Sequence, residues 1–260
     1  MGPARPLQAL KLLALLLVPV LLWDFSGWDL TVARWLGDAD GFAARHSVWA
    51  ELVLHEGGRW VSGALLLAVA MNAFWPGEPA RPGPSRAQRR WALLALVLVL
   101  LLVPALKRLS LTSCPWSLAE FSGVAQWVPH WRWGVPDGGP GGCFPSGHAV
   151  GSFLGFTVLL WLWAPWRSQH PLLWAGLCLG IGLGSLAASA GQWARGAHFV
   201  SHSLWSAWLC ALLGWALLYA FSWRSAAEWV GAKKNPVCTR QDRVKTGAQG
   251  AGTCEDDWEI

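Results

Sequence analysis

Apolar and polar positions occur along this chain in long blocks. Six mainly apolar blocks are separated by polar or glycine-rich segments, at approximately 7–23, 60–75, 91–106, 149–166, 172–190 and 204–223. Each block is close to the roughly 17–25 residues that a helix needs to cross a bilayer. A helix also satisfies its own backbone hydrogen bonds, which lipid cannot do for it. The pattern therefore predicts an all-α integral membrane bundle of six transmembrane helices.

The composition also indicates a membrane protein. Hydrophobic residues make up 54% of the chain and charged residues only 13%, whereas about a quarter of the residues in a soluble domain are charged. The 22 tryptophans against one tyrosine agree with this, because indole rings favour the membrane–water interface. The first block follows Arg5 but lacks a small-residue cleavage site, so we interpret it as a retained helix and not as a signal peptide.

Basic residues between the blocks predict the orientation of the chain. The linker 81–90 contains four arginines and no acidic residue, and the segment 224–245 contains six basic residues. Because such residues collect on the cytoplasmic side, both termini are predicted to be cytoplasmic. Segments 24–59, 107–148 and 191–203 then lie on the outer, periplasmic face of the inner membrane. These topology signals account for the net charge of +5, and we predict no nucleic-acid partner.

The predicted membrane domain covers residues 1–230 and is followed by a polar tail, residues 231–260. The low hydrophobicity and mixed charge of the tail are typical of disorder. Segment 24–59 mixes acidic and apolar residues, which fits either a short amphipathic helix on the membrane surface or a solvated connector. The sequence carries no signal for an oligomeric state.

A candidate anion site precedes the fourth block. The glycine-rich stretch 138–142 leads into Pro145-Ser146-Gly147-His148. Backbone amides at a helix start carry partial positive charge and bind anions. Ser146 can add a hydroxyl donor, Gly147 lets the backbone approach closely, and His148 is placed to donate a proton to a leaving oxygen. The alternative is a helix-capping serine beside an interfacial histidine.

A second histidine segment lies between the fifth and sixth blocks. Arg195 precedes His198 by three residues, and His202 follows it by four. A guanidinium group suits bidentate phosphate binding, and an imidazole can attack phosphorus. The histidine spacing also suits a metal pair on one helix face. No cysteine or acidic ligand is close in sequence, so we predict neither a metal nor another cofactor.

Lys107 lies just outside the third block, where the chain enters the loop that contains Cys114-Pro115. A cation held there is a candidate phosphate ligand. The alternative is that its side chain extends to the interface while its stem stays in apolar surroundings.

At these three segments, within about residues 100–223, the chain resembles the type-2 phosphatidic acid phosphatase superfamily. These are membrane-embedded lipid phosphatases that work without a metal, with the motifs Lys-x6-Arg-Pro, Pro-Ser-Gly-His and Ser-Arg-x5-His-x3-Asp. The resemblance implies that His198 forms a phosphohistidine and that His148 is the general acid. It also implies that Lys107 and Ser146 bind the phosphate.

Four positions depart from the family pattern. Cys114 stands where an arginine is expected, Gly191-Gln192 replaces the Ser-Arg pair of the third motif, and His202 replaces its aspartate. Arg195, one helical turn beyond Gln192, can serve the same phosphate from a shifted position. A carboxylate normally orients the attacking imidazole and stabilises its cationic form. The candidates for that role here are a backbone carbonyl, His202, Asp137 and Glu120. A slow enzyme is the alternative.

Two of the six cysteines, Cys114 and Cys143, fall on the predicted outer face, where disulfides persist. A bond between them would join the first and second motifs and stabilise the fold by about 3 kcal/mol. Two unpaired thiols are the alternative.

We therefore expect hydrolysis of a lipid-linked phosphate or diphosphate at the outer leaflet. The candidate substrates are phosphatidic acid, phosphatidylglycerophosphate, a polyprenyl diphosphate and the phosphate of a lipid A-like glycolipid. Two alternatives stay open at this point. One is a lipid phosphotransferase with the same intermediate, and the other is a non-catalytic membrane relative, transporter or lipid-binding protein with a decayed site.

Overall fold

A computed structural model describes residues 4–75, 85–147, 150–151 and 170–234. Regular structure in these ranges is helical apart from two isolated β-bridges, so the all-α prediction is confirmed for them. The chain divides into two compact units, Met1–Leu217 and Leu218–Ile260. The candidate site lies in the first unit. In the second, the structure describes the end of the last helix through Lys234, and residues 235–260 of the predicted tail lie outside the described residues.

Six α-helices occur in the described ranges: α1 (Ala4–Ser26), α2 (Trp28–Leu36), α3 (Gly57–Phe74), α4 (Arg86–Leu109), α5 (Pro171–Ala194) and α6 (Val200–Lys234). A 3-10 turn (Ala43–His46) and a π-helix (Trp49–Glu56) lead into α3. Two further 3-10 turns (Pro115–Ser117 and Ala119–Phe121) follow α4. Segment 24–59 therefore contains short helices, as one of its two interpretations expected.

Three described helices are long and apolar enough to cross a membrane: α4, α5 and the Val200–Leu217 part of α6. They coincide with the third, fifth and sixth predicted spans. The first predicted span falls in α1, which together with α2 forms a pair bent by 69°, either a broken span or a re-entrant loop. The second falls in α3, which is not among the three. The fourth lies mostly outside the described residues, so six transmembrane helices remain a prediction.

Local sequence explains where several helices begin. Ser85 caps α4, because its hydroxyl accepts a hydrogen bond from Gln88 N and the Gln88 side chain accepts one from Ser85 N. Pro171 occupies the first turn of α5, where a missing backbone N–H costs nothing. Gly27 separates α1 from α2 with a φ of +75°, a conformation that glycine adopts without strain.

The distribution of polar and apolar side chains is that of a membrane protein. Large apolar side chains cover the outside of the helices, and Leu172 is 88% exposed. Many buried side chains are small or polar, among them Ser185, Ser189 and Ser206. In water this arrangement would be unfavourable. In lipid, small and hydroxyl-bearing residues are the ones that let helices pack closely.

Two buried apolar clusters hold the elements around the site. The first joins α3, α4 and α6 through Val69, Leu96, Val99, Val103 and Cys210. The second joins α2 to the loops after α4 and before α6 through Ala33, Phe42, Leu118, Phe121, Ala125 and Phe199. The second cluster fixes the loop that carries His198 against the loop that carries Cys114.

Candidate active site

The three motif segments meet at one end of α4, α5 and α6. Backbone hydrogen bonds join them in pairs. Trp116 N, in the first motif's loop, donates to Gly196 O at 2.9 Å, and Cys143 N donates to Thr112 O at 2.9 Å. Ser146 N donates to His202 O at 3.3 Å. Because each segment is bonded to another, their relative positions are determined by backbone geometry as well as by side chains.

A disulfide joins Cys114 to Cys143 across a separation of 29 residues. This pairing is one of the two alternatives that the sequence left open for these cysteines. The bond links the loop after α4 to the residue that precedes Phe144-Pro145-Ser146. The Phe144–Pro145 peptide bond that follows is cis. The disulfide therefore lies between the first and second motifs.

His198 lies beside this disulfide and is 3% exposed. Its Nδ1 is 3.5 Å from Cys143 Sγ, and the same sulfur is 3.2 Å from Ala197 O. The ring of His202 lies on the other side, with its centroid 5.9 Å from that of His198 and an interplanar angle of 65°. The candidate nucleophile is thus positioned by a disulfide sulfur and a second imidazole.

Ser146 and His202 are tied together through Ser206. The Ser206 hydroxyl lies 2.9 Å from Ser146 O and 2.7 Å from His202 O, and these two carbonyls share its single proton. All three residues are buried. His148, predicted as the general acid, and the residue after it lie outside the described residues. Gly147, the residue before them, is helical.

The predicted cationic ligands differ in their surroundings. Lys107, in the last turn of α4, is half-buried. Arg195 is buried, and its Nε donates to Arg45 O at 3.1 Å. Its Nη2 lies 3.8 Å from Glu51 Oε1. Part of the Arg195 charge is therefore directed toward the segment before α3.

Gln192, the residue at the position of the family's second arginine, is 3% exposed. Its carbonyl accepts from Ala197 N at 2.9 Å. This bond closes the turn between the end of α5 and His198. A backbone role of this kind does not depend on which side chain stands at 192.

Two carboxylates considered as partners of His198 are bonded elsewhere. Asp137 accepts from Ser113 N at 2.5 Å and from Ser113 Oγ and Gly139 N at 2.9 Å each. Glu120 pairs with Arg34, with Nε to Oε1 at 2.5 Å and Nη2 to Oε2 at 3.2 Å. Asp137 thus stabilises the loop around the disulfide, and Glu120 lies on the surface.

Sequence reasoning missed three residues that shape the site: Asp24, Asp29 and His130. Asp29 accepts from Trp23 Nε1 at 2.8 Å and from Ser201 N at 3.0 Å, and it also accepts from the Ser201 hydroxyl. It therefore caps the first turn of α6. Its signal was an acidic residue in a largely apolar segment on the predicted outer face.

His130 packs directly against the second motif. Its ring stacks on Phe144 with centroids 4.0 Å apart, and its centroid is 5.6 Å from that of His202. Its Nε2 lies 3.3 Å from Asp24 Oδ2, and the same oxygen accepts from Trp205 Nε1 at 2.9 Å. A histidine among tryptophans in segment 107–148 was the signal available in the sequence.

One group of potential metal ligands occurs among the described residues: Cys114, Cys143 and His198. The two cysteines share a disulfide, so in this state they offer no thiolate. Thiolates are what make cysteine a zinc ligand. The histidine pair at 198 and 202 has no carboxylate or thiolate completing a metal site among the residues described.

Comparison with known protein families decides the assignment. The model of the PAP2 superfamily matches residues 89–226 of the chain. This chain belongs to the PAP2 superfamily. The match covers more than half of the chain and includes all three motif segments, so the resemblance to type-2 phosphatidic acid phosphatases is confirmed. Members of the PAP2 superfamily are phosphatases that act on phosphate esters. No curated protein and no solved structure shows a significant match to this chain.

Proposed function

We propose that this PAP2 superfamily member hydrolyses a lipid-linked phosphate or diphosphate at the outer face of the membrane, through a phosphohistidine and without a metal. The observation that carries the proposal is the convergence of the three motif segments on His198. They are held together by the Trp116–Gly196, Cys143–Thr112 and Ser146–His202 backbone bonds.

In the proposed reaction, Nε2 of His198 attacks phosphorus, so an N–P bond forms as the P–O bond to the lipid breaks. His148 gives its proton to the leaving oxygen. Water then attacks the phosphohistidine: His148 takes a proton from the water, an O–P bond forms and the N–P bond breaks. Splitting the displacement in two lowers each barrier. Lys107, Ser146, Gly147 and Arg195 are the proposed phosphate ligands, through charge and N–H or O–H donation.

Two features support action at an outer membrane face. Disulfides persist in oxidising compartments, and Cys114–Cys143 lies at the Lys107 end of α4. The other end of α4 follows the arginine-rich linker that the charge rule assigns to the cytoplasm. Both features support a site on the same, periplasmic side of the inner membrane.

An apolar cavity supports a lipid substrate. It has a volume of about 390 Å³ and is lined chiefly by apolar side chains, including Leu106, Phe144, Trp205 and Leu209. Two of its lining residues adjoin the predicted site in sequence: Leu106 precedes Lys107, and Phe144 precedes the second motif. A chain of methylene groups in such a cavity would gain about 0.8 kcal/mol for each CH₂ removed from water.

The experiment is phosphate release from lipid substrates by purified protein in detergent or proteoliposomes. His198→Ala and His148→Ala are each expected to abolish release at unchanged protein level. His46→Ala, an exposed histidine in the segment before α3, is the matched control and is expected to retain it. Normal release by the His198→Ala protein would refute the mechanism. A panel of phosphatidic acid, a polyprenyl diphosphate and a water-soluble phosphate ester would identify the substrate class.

The absence of a carboxylate at position 202 favours a second candidate, a non-catalytic relative with a decayed site. Trapping of radiolabelled phosphate on the protein separates the two. Label on the wild-type chain that is lost in His198→Ala supports catalysis, whereas an unlabelled wild-type chain that releases no phosphate supports the decayed site. Transfer of the label to a lipid hydroxyl instead of water would identify a phosphotransferase.

A further inference from the structure

We propose that the Cys114–Cys143 disulfide positions the nucleophile, with Cys143 Sγ accepting a hydrogen bond from Nδ1–H of His198. The disulfide thereby takes over the orienting role of the carboxylate that this chain lacks at position 202. The inference rests on the proposed function, because it assigns the support of the same histidine.

The geometry is that of a sulfur-accepted hydrogen bond. Cys143 Sγ and His198 Nδ1 are 3.5 Å apart. The side chains are both buried, with Cys143 fully inaccessible and His198 3% exposed. In such surroundings water does not compete for the ring nitrogen, so a weak acceptor has more influence than it would have at the surface.

The disulfide decides which partner donates. A thiol could donate its proton to the ring, but a sulfur bonded to Cys114 has no hydrogen. The sulfur can only accept, so the proton of a neutral His198 ring resides on Nδ1. The lone pair is then on Nε2, the nitrogen proposed to attack phosphorus. Selecting the tautomer in this way is what the second nitrogen's partner does in other histidine sites.

The sulfur is also held in place. Cys143 is tied to the loop after α4 by the disulfide and by the bond from its backbone N to Thr112 O. The same loop is tied to the His198 segment by the bond from Trp116 N to Gly196 O. These links join the two segments through the backbone, which limits how far the sulfur and the imidazole can move apart.

The carboxylates of this region are committed to other donors. Asp137 binds Ser113 and Gly139, and Glu120 binds Arg34. The Cys143 sulfur, in contrast, is in contact with the ring itself. It is a neutral acceptor, so it orients the imidazole without the charge stabilisation that a carboxylate gives to the imidazolium. We therefore expect a functional enzyme whose kcat rises when a carboxylate takes the place of the Cys143 sulfur.

The test compares two proteins that both lack the disulfide, Cys114→Ala/Cys143→Ala and Cys114→Ala/Cys143→Asp. The alanine pair removes the acceptor, and we expect kcat to fall at least about tenfold with KM unchanged. The aspartate pair places a carboxylate oxygen close to the lost sulfur, and we expect kcat to return at least to the wild-type value. If the aspartate variant regains kcat without the disulfide, the role of Cys143 is to accept a hydrogen bond from His198 and not to tie the two loops together. The proposal would be overturned if the alanine and aspartate pairs had the same unfolding temperature and lost kcat equally. Full activity of the alanine pair would also overturn it.

A measurement on the unaltered protein covers the case in which the variants fail to fold. Nitrogen-15 NMR of histidine-labelled protein distinguishes the two neutral tautomers, and His198→Gln identifies the signal. We expect His198 to carry its proton on Nδ1. A proton on Nε2 would overturn the proposal. Failure of the proposed function is seen separately, as phosphate release that persists in His198→Ala.

Discussion

Asp29 is predicted to hold the beginning of α6, and its replacement should destabilise the protein more than any comparable change of an exposed acid. The carboxylate is 7% exposed. It accepts hydrogen bonds from Trp23 Nε1, from Ser201 N and from the Ser201 hydroxyl. The helix that it caps carries His202 in its first turn and begins two residues after His198. The perturbation is Asp29→Ala.

The magnitude follows from the three donors. Alanine leaves a backbone N–H and an indole N–H without their acceptor, at a cost of about 1–3 kcal/mol for each buried group. Loss of a negative charge at a helix N-terminus adds about 0.3–1 kcal/mol. Relief of the desolvation of a buried carboxylate offsets part of this. We expect a net loss of about 3 kcal/mol in the free energy of unfolding. At about 2–4 °C per kcal/mol, the midpoint should fall by about 6–12 °C.

Thermal unfolding in detergent, followed by intrinsic fluorescence of the 22 tryptophans, measures the midpoint. Asp40→Ala removes the same group from an exposed position and should change the midpoint by less than about 2 °C, since exposed substitutions cost within about 0.5 kcal/mol. Asp29→Asn keeps an acceptor oxygen, so its unfolding midpoint should lie between those of Asp29→Ala and Asp40→Ala. Equal midpoints for Asp29→Ala and Asp40→Ala would refute the capping argument.

Two further predictions concern the loops of the site. Gly196→Ala should lower both stability and activity, because Gly196 has a φ of +69° and an added Cβ would lie 2.4 Å from the Phe42 ring. The control is Gly176→Ala, which has open space around its Cβ position. Similar unfolding midpoints for the two variants would contradict the prediction. Asp137→Ala should speed reduction of the Cys114–Cys143 disulfide by a water-soluble phosphine, because three hydrogen bonds to Ser113 and Gly139 are lost. An unchanged reduction rate would show that these hydrogen bonds do not hold the loop around the disulfide rigid.

Much of the framework could be predicted because it depends on local properties. Lengths of apolar blocks anticipated α4, α5 and α6, and the positions of the cysteines relative to those blocks anticipated the disulfide. The first predicted span was harder. A break at Gly27 bends α1 against α2 by 69°, and whether a glycine bends a helix depends on what the two halves pack against.

The sequence supplied candidates for the site but not their contacts. The motif order identified His198, Ser146 and Lys107 as candidates, because spacing between reactive residue types is written in the chain. Arg195 lies beside Arg45 O and Glu51, which no spacing rule contains. The partners lie about 150 residues away in sequence, and only folding brings them together.

The sequence by itself determined the family, the PAP2 superfamily, and the helical class of the described residues, since hydropathy and motif order are properties of the chain as written. Only the tertiary structure decided what surrounds the candidate nucleophile. It brought together a sulfur and an imidazole 55 residues apart, and it directed Asp137 to a loop and Asp29 to a helix end. The physical reason is that a hydrogen bond requires contact within a few ångströms. Such contacts between distant segments are determined by the packing of the whole bundle.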